Sequence, residues 1–255
     1  MPRRPSFARR WLLAATWPVG VSLTSWDYMW RSTPLHRREV GEALGDHHLP
    51  PDYPPGVEDA EVQGYEGGHG PLFHRTYRTA IRQAHLTPEV LMAAVQSNLN
   101  GAAPTKFARF QRVLGDGETM AVGDEYVVRM PGPWDGPVRV VARDDRSFRL
   151  ATLNGHLEAG QIEFRVLDGD RDGDGDGVGP SRREGDGPMM EFEIESWARS
   201  ADRLSNLLYH HVRMAKEIQL HMWISFLEGV VDVSGGRMTG GVEIDTRRIE
   251  DGLPT

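Results

Sequence analysis

A chain of 255 residues is long enough for one substantial hydrophobic core with an added arm. Its formal net charge of −8 supplies no broad basic surface for phosphates, so nucleic acid is not an expected partner. The complete lack of cysteine excludes disulfides, thiolate catalysis and cysteine-based zinc or iron–sulfur sites, while leaving the compartment open.

The first 45 residues form an arm rich in tryptophan and arginine. Arg3, Arg4, Arg9 and Arg10 precede an apolar run from Trp11 to Val21 that is interrupted by Pro18. The run is shorter than the ~20 apolar residues a membrane-spanning helix needs. Three readings of it compete. The arm packs its tryptophans on the body; or Trp11, Trp17, Trp26 and Trp30 sit at a membrane surface with the arginines facing lipid phosphates; or the segment is a signal, Arg9-Arg10 ahead of Trp11-Leu12-Leu13 echoing a twin-arginine pattern without a clear small-x-small cleavage site. The expected location is the cytoplasm, with membrane association through this arm as the alternative.

Residues 46–70 are rich in proline, glycine and acid and read as an extended linker. The body, 71–235, opens on a strand over 72–77. Thr87 then caps a helix with Pro88 at its first position and Glu89 beside its positive end, and Gly101 and Pro104 stop it.

The period next changes from helical to alternating, which predicts strands over 106–113, 124–130, 138–142, 147–152, 161–167 and 189–197. Alternation sorts their side chains into two faces. Tyr126, Val128, Val138, Val140, Phe148, Leu150, Ile162, Phe164, Phe192 and Ile194 point inward. Glu125, Arg129, Arg139, Arg149, Glu163, Arg165, Glu191, Glu193 and Glu195 point out.

The last large element, Asp202 to Val233, reads as one amphipathic helix of roughly 45 Å. Leu204, Leu207, Leu208, His211, Ala215, Ile218, Met222, Phe226 and Val230 recur at three- and four-residue steps on one face, and Gly235-Gly236 ends the run. Residues 236–255 read as a charged, mobile tail, with Val242 and Ile244 too sparse to force a strand. The order of strand, helix, about six strands and long helix predicts an α+β fold. In it a curved antiparallel sheet grips the C-terminal helix, as in the helix-grip proteins of START and Bet v 1 type.

Several stretches resemble a family of uncharacterised proteins, the DUF1990 family. They are Gly70-Pro71-Leu72-Phe73-His74-Arg75 with Tyr77, Phe107-Ala108-Arg109-Phe110, Leu153-Asn154-Gly155-His156-Leu157-Glu158-Ala159-Gly160, and His210-His211-Val212-Arg213-Met214-Ala215-Lys216-Glu217. The resemblance implies no established activity, substrate or catalytic residue.

Candidate chemistry is sparse. The repeated Asp-Gly run from Asp168 to Gly177 mimics a calcium loop, but its twelfth position is Gly179 where a bidentate glutamate is required, so it reads as a solvated hairpin tip. His210 and His211 are adjacent and point ~100° apart on a helix, which keeps them from sharing one ion. Asn154-Gly155-His156 reads as a hairpin turn or a ligand-facing lip. The side chains expected around a ligand are His74, Tyr126, Trp134, Phe148, His156, Phe164, Phe192, His211, Met214 and Met222, with no metal and no cofactor. Three functions remain open: a binder of a hydrophobic small molecule or lipid held between sheet and helix; an enzyme of cyclase or hydrolase type using His74, His156 or His211 as base; or a solid-cored scaffold reaching a membrane surface through its arm.

Overall fold

A computed structural model of the chain describes residues 33–40, 48–57, 59–105, 108–130, 135–169, 189–201 and 213–249. The four arm tryptophans, Trp134, residues 170–188 of the Asp-Gly loop and residues 202–212 lie outside the described residues.

Nine strands form one sheet: β1 (Leu35–Val40), β2 (His69–Arg82), β3 (Arg109–Leu114), β4 (Glu125–Arg129), β5 (Gly136–Arg143), β6 (Ser147–Thr152), β7 (Glu158–Asp168), β8 (Met189–Ser200) and β9 (Arg237–Ile249). Their spatial order is β1-β9-β2-β8-β7-β6-β5-β4-β3. Helices α1 (Pro88–Ser97) and α2 (Leu99–Ala102) connect β2 to β3, and α3 (Arg213–Ser234) connects β8 to β9. The fold is therefore α+β, a large curved sheet with the C-terminal helix against it. All the pairings are antiparallel except that of β1 with β9, which is parallel.

Local signals act as the sequence predicts at α1, where the Thr87 hydroxyl accepts from the Val90 N–H and Pro88 occupies the first turn. The end of α3 is equally local. Gly235 takes φ +68° just past Ser234, the left-handed conformation that closes a helix cheaply only with glycine.

Three expectations are corrected. Residues 237–249 of the supposed mobile tail are β9, hydrogen-bonded between β1 and β2. Val242 and Ile244 are two apolar residues at period two, and both are buried in the core, at 0% and 4% exposure. Met238 also packs against that core, and Ile249 joins a second apolar cluster with Leu72 and Trp197; with so few apolar positions the strand depends on two neighbours that satisfy its backbone. The supposed linker is also not a free connector. Val62 bridges Leu153, the Gln63 N–H donates to the Thr152 carbonyl at 2.8 Å, and the Gly160 N–H donates to the Gln63 carbonyl at 3.0 Å. The segment 48–67 thus lies over the sheet face opposite α3, and residues 69–70 already belong to β2. Likewise, 35–40 of the supposed arm are strand β1.

The core lies between the sheet and the helices. Phe148 stacks on Phe164 at 4.5 Å, and Phe164 meets Trp223 at 5.6 Å and Phe226 at 5.3 Å. Phe148, Phe164, Phe192 and Phe226 all have zero exposure, each burial contributing roughly 1.5–3 kcal/mol. With no surface open to water, these four rings border no void large enough for a water molecule. Among the described residues no helix is long and apolar enough to cross a membrane.

A polar cleft on the outer face of the sheet

Alternation along three central strands decides where polar side chains gather. On β2, Tyr77 and Ile81 enter the core, which sends His74, Thr76 and Arg78 to the opposite face. On β8, Phe192 and Ile194 face inward and Glu193 and Glu195 outward; on β9, Val242 and Ile244 face inward and Asp245 and Arg247 outward. Register then joins them. Thr76 stands opposite Glu195 on one side and Asp245 on the other, while His74 stands between Trp197 and Arg247. With His48 from the N-terminal segment, they line a cleft of about 230 Å³ formed by His48, His74, Thr76, Arg78, Glu195, Asp245 and Arg247.

The cleft sits on a layer of ion pairs. Glu193, only 1% exposed, is gripped by Arg78 and by Arg165, whose Nε donates to Oε1 at 3.0 Å. A buried carboxylate requires such partners, because an unpaired one costs several kcal/mol. Glu195 is held from both ends: His74 Nε2 lies 2.7 Å from its Oε1, and Arg165 binds its Oε2. Burial pushes the Glu195 carboxyl up, but the His74 hydrogen bond and the Arg165 charge outweigh it and hold the group below its ordinary value. Burial raises neighbouring Glu163, against the charges of Arg165 and Arg149.

His74 is 7% exposed, its ring stacked on Trp197 at 5.4 Å and 5° and tilted against His48 at 5.4 Å. Its Nδ1 is buried without a hydrogen-bond partner. Arg247 places Nη1 2.9 and 2.6 Å from the two ring nitrogens of His48. A guanidinium only donates, so in this contact the imidazole can act only as the acceptor.

Of the ten side chains expected around a ligand, the cleft contains His74. Tyr126, Phe148, Phe164, Phe192 and Met222 lie across the sheet in the core, so the ten do not line one pocket. Alternation explains the division: His74 occupies an outward position of β2, and the aromatic residues occupy inward ones. The Tyr126 hydroxyl accepts from Arg112 Nε at 2.9 Å near the β3 edge. His156 closes the β6–β7 turn, where its Nδ1 accepts from the Glu158 N–H at 2.9 Å. Burial lowers the pKa of His156, as suits a neutral structural imidazole. Gly155 takes φ +98° in that turn, and Asn154 Nδ2 donates to the Ala60 carbonyl at 2.8 Å. Trp134 and His211 lie outside the described residues, and of Met214 only its place in α3 is described. Among the described residues no three His, Asp or Glu side chains gather as a metal ion would require.

Sequence reasoning passed over His48, Thr76, Arg78, Asp245 and Arg247, and placed Glu195 on a solvated face. One signal was available. Outward positions of β8 carry three successive acids, Glu191, Glu193 and Glu195, beside Glu163 and Arg165 of β7, and a Pro-rich segment follows His48. A charged face becomes a site only if something covers it, and that requires the tertiary path of residues 48–67.

Comparison with known proteins adds the following. The family model described as "Domain of unknown function (DUF1990)" matches residues 38–224. No curated protein matches the chain. Among solved structures, norcoclaurine synthase from Thalictrum flavum in complex with dopamine and hydroxybenzaldehyde is similar at 9% identity and a TM-score of 0.42, over 69% of this chain and 92% of that one. A conserved protein from Geobacillus kaustophilus is similar at 10% identity and a TM-score of 0.36, over 65% and 98% of the two chains. Dopamine and hydroxybenzaldehyde are ligands of that synthase.

Proposed function

We propose that this chain, which belongs to the DUF1990 family, binds a small polar molecule in the outer-face cleft around His74. The element order of strand, two short helices, six strands and long helix fits a helix-grip architecture with β1 and β9 added beyond β2. An apolar ligand between sheet and helix would have to part the Phe148–Phe164 stack and the rings of Trp223 and Phe226 around it. That interior is filled where it is described. The cleft leaves a buried imidazole nitrogen unsatisfied, as the filled interior leaves the indole Nε1 of Trp223, but of the two only the cleft has open space beside it. Such a group costs about 1–3 kcal/mol when it lacks a partner, and a polar ligand that displaced the neighbouring His48 ring would supply one.

The same observation favours a hydrolase-type reading of His74. A carboxylate 2.7 Å from Nε2 fixes the ring and its tautomer, which frees Nδ1 to exchange a proton with a bound molecule. His48 lies beside that ring and would have to shift for a substrate to reach Nδ1.

Native mass spectrometry of the protein from its own host tests the binding reading. A co-purifying small molecule that disappears in Thr76→Trp, which fills the cleft, and persists in Phe164→Leu supports it. A molecule retained by Thr76→Trp and lost in Phe164→Leu overturns it in favour of the interior.

A further inference from the structure

We propose that Arg247 anchors an oxyanion, a carboxylate or phosphate group carried by the cleft's ligand; this rests on the cleft being the ligand site.

Three guanidinium groups stand around the cleft, and they differ in what holds them. Arg78 pairs with Glu193, Glu191 and Asp245, and Arg165 with Glu163, Glu193 and Glu195. Arg247 forms no ion pair among the described residues; its one partner is the His48 ring, reached through Nη1. This half-buried cation faces an imidazole rather than a carboxylate, so it has given up part of its hydration without an ion pair among the described residues. Its Nε and Nη2 make no hydrogen bond among the described residues. Those are the edge donors of a planar fork, which suits the two oxygens of a carboxylate or phosphate.

Neither of the cleft's carboxylates pairs with Arg247 among the described residues. Both oxygens of Glu195 are occupied, by His74 and by Arg165, and Asp245 lies 3.9 Å from Arg78. Neither supplies the missing charge to Arg247. A cationic ligand would have to displace one of those partners, whereas an anion completes the one that is absent. Because Arg247 pairs in register with His74, the anion would lie at the His74 end of the cleft.

The test uses the full chain with acetate, inorganic phosphate and the neutral acetamide as probes, at ionic strength held constant with chloride. NMR of the arginine Nε–H groups and histidine rings reports binding. Saturable shifts at Arg247, His48 and His74 with acetate or phosphate are expected, with acetamide at least about tenfold weaker. Arg247→Gln lowers anion affinity by about tenfold or more, Arg247→Lys retains part of it, and Arg109→Gln at the exposed far edge of the sheet leaves it unchanged. A thermal melt of each variant separates lost binding from lost folding. Equal binding of acetamide and acetate, or unchanged anion affinity in Arg247→Gln, overturns the anion anchor while leaving the cleft as a ligand site. Binding of none of the probes, together with a host-derived molecule that Thr76→Trp fails to displace, overturns both.

Discussion

Nε2 of His74 lies 2.7 Å from Oε1 of Glu195, and the same imidazole stacks on Trp197, two residues along β8. One strand therefore fixes both the plane of the ring and the direction of its hydrogen bond. The folded carboxyl of Glu195 titrates below its ordinary value of 4.5, because the His74 bond and the Arg165 charge outweigh burial. The sign follows from linkage. A depressed folded pKa contributes stability above the unfolded value, and that stability is lost as pH falls through the folded value. Urea unfolding should give a wild-type stability that declines as pH drops below about 4.5. Glu195→Gln should flatten that part of the profile and cost about 1–3 kcal/mol at pH 7, where Arg165 loses a charge partner. An unchanged acid limb would show that Glu195 is not held as described.

Arg139 pins the covering segment to the sheet. Its Nη1 is 2.7 Å from Asp59 and its Nη2 2.7 Å from Glu125, a residue only 5% exposed. Arg139→Ala strands a buried carboxylate and should destabilise by about 3–5 kcal/mol. Asp59→Ala removes one of two exposed partners, leaving Glu61 and the buried Glu125 paired, and should cost less than about 1 kcal/mol. Amide exchange at Gln63, whose N–H is bonded to Thr152, should accelerate in the first variant and change little in the second.

Phe164 distinguishes a solid interior from a ligand cavity. Enclosed by Phe148, Trp223 and Phe226, it should lose about 3–5 kcal/mol on change to alanine, the cost of a core ring whose neighbours cannot close the gap. A loss near 1 kcal/mol in chemical denaturation would mean that the ring borders open space.

Gly229 is where α3 crosses α2. A Cβ there would fall 2.1 Å from the Ala102 carbonyl oxygen, which is backbone and cannot turn aside. Gly229→Ala should therefore lower stability by about 1–3 kcal/mol or more, although alanine is the better helix former. A rise in Tm would contradict the contact.

Truncation after Gly236 provides a further check on the sheet. Removing β9 exposes the edge of β2 and takes Val242 and Ile244 from the core, so the shortened chain should fail to fold or aggregate. A soluble, cooperatively melting product would return residues 237–249 to the status of a dispensable tail.

The sequence by itself determined the elements whose signals are local. Thr87-Pro88 starts α1, Gly235 ends α3, and alternation places Phe148, Phe164 and Ile194 on one face and Arg139, Glu193 and Glu195 on the other. Those patterns are short in range, because they follow from backbone geometry and from side chains two to four residues apart. The place of β9 depended on strands distant in sequence, since its few apolar residues form a strand only when β1 and β2 satisfy its backbone. The cleft depended on distance in the same way. His48, His74, Glu195 and Arg247 come from four separated stretches, and only sheet register and the path of residues 48–67 bring them together. A charged strand face has the same pattern whether water or polypeptide covers it, so the burial that turns these residues into a site was decided by the tertiary structure alone.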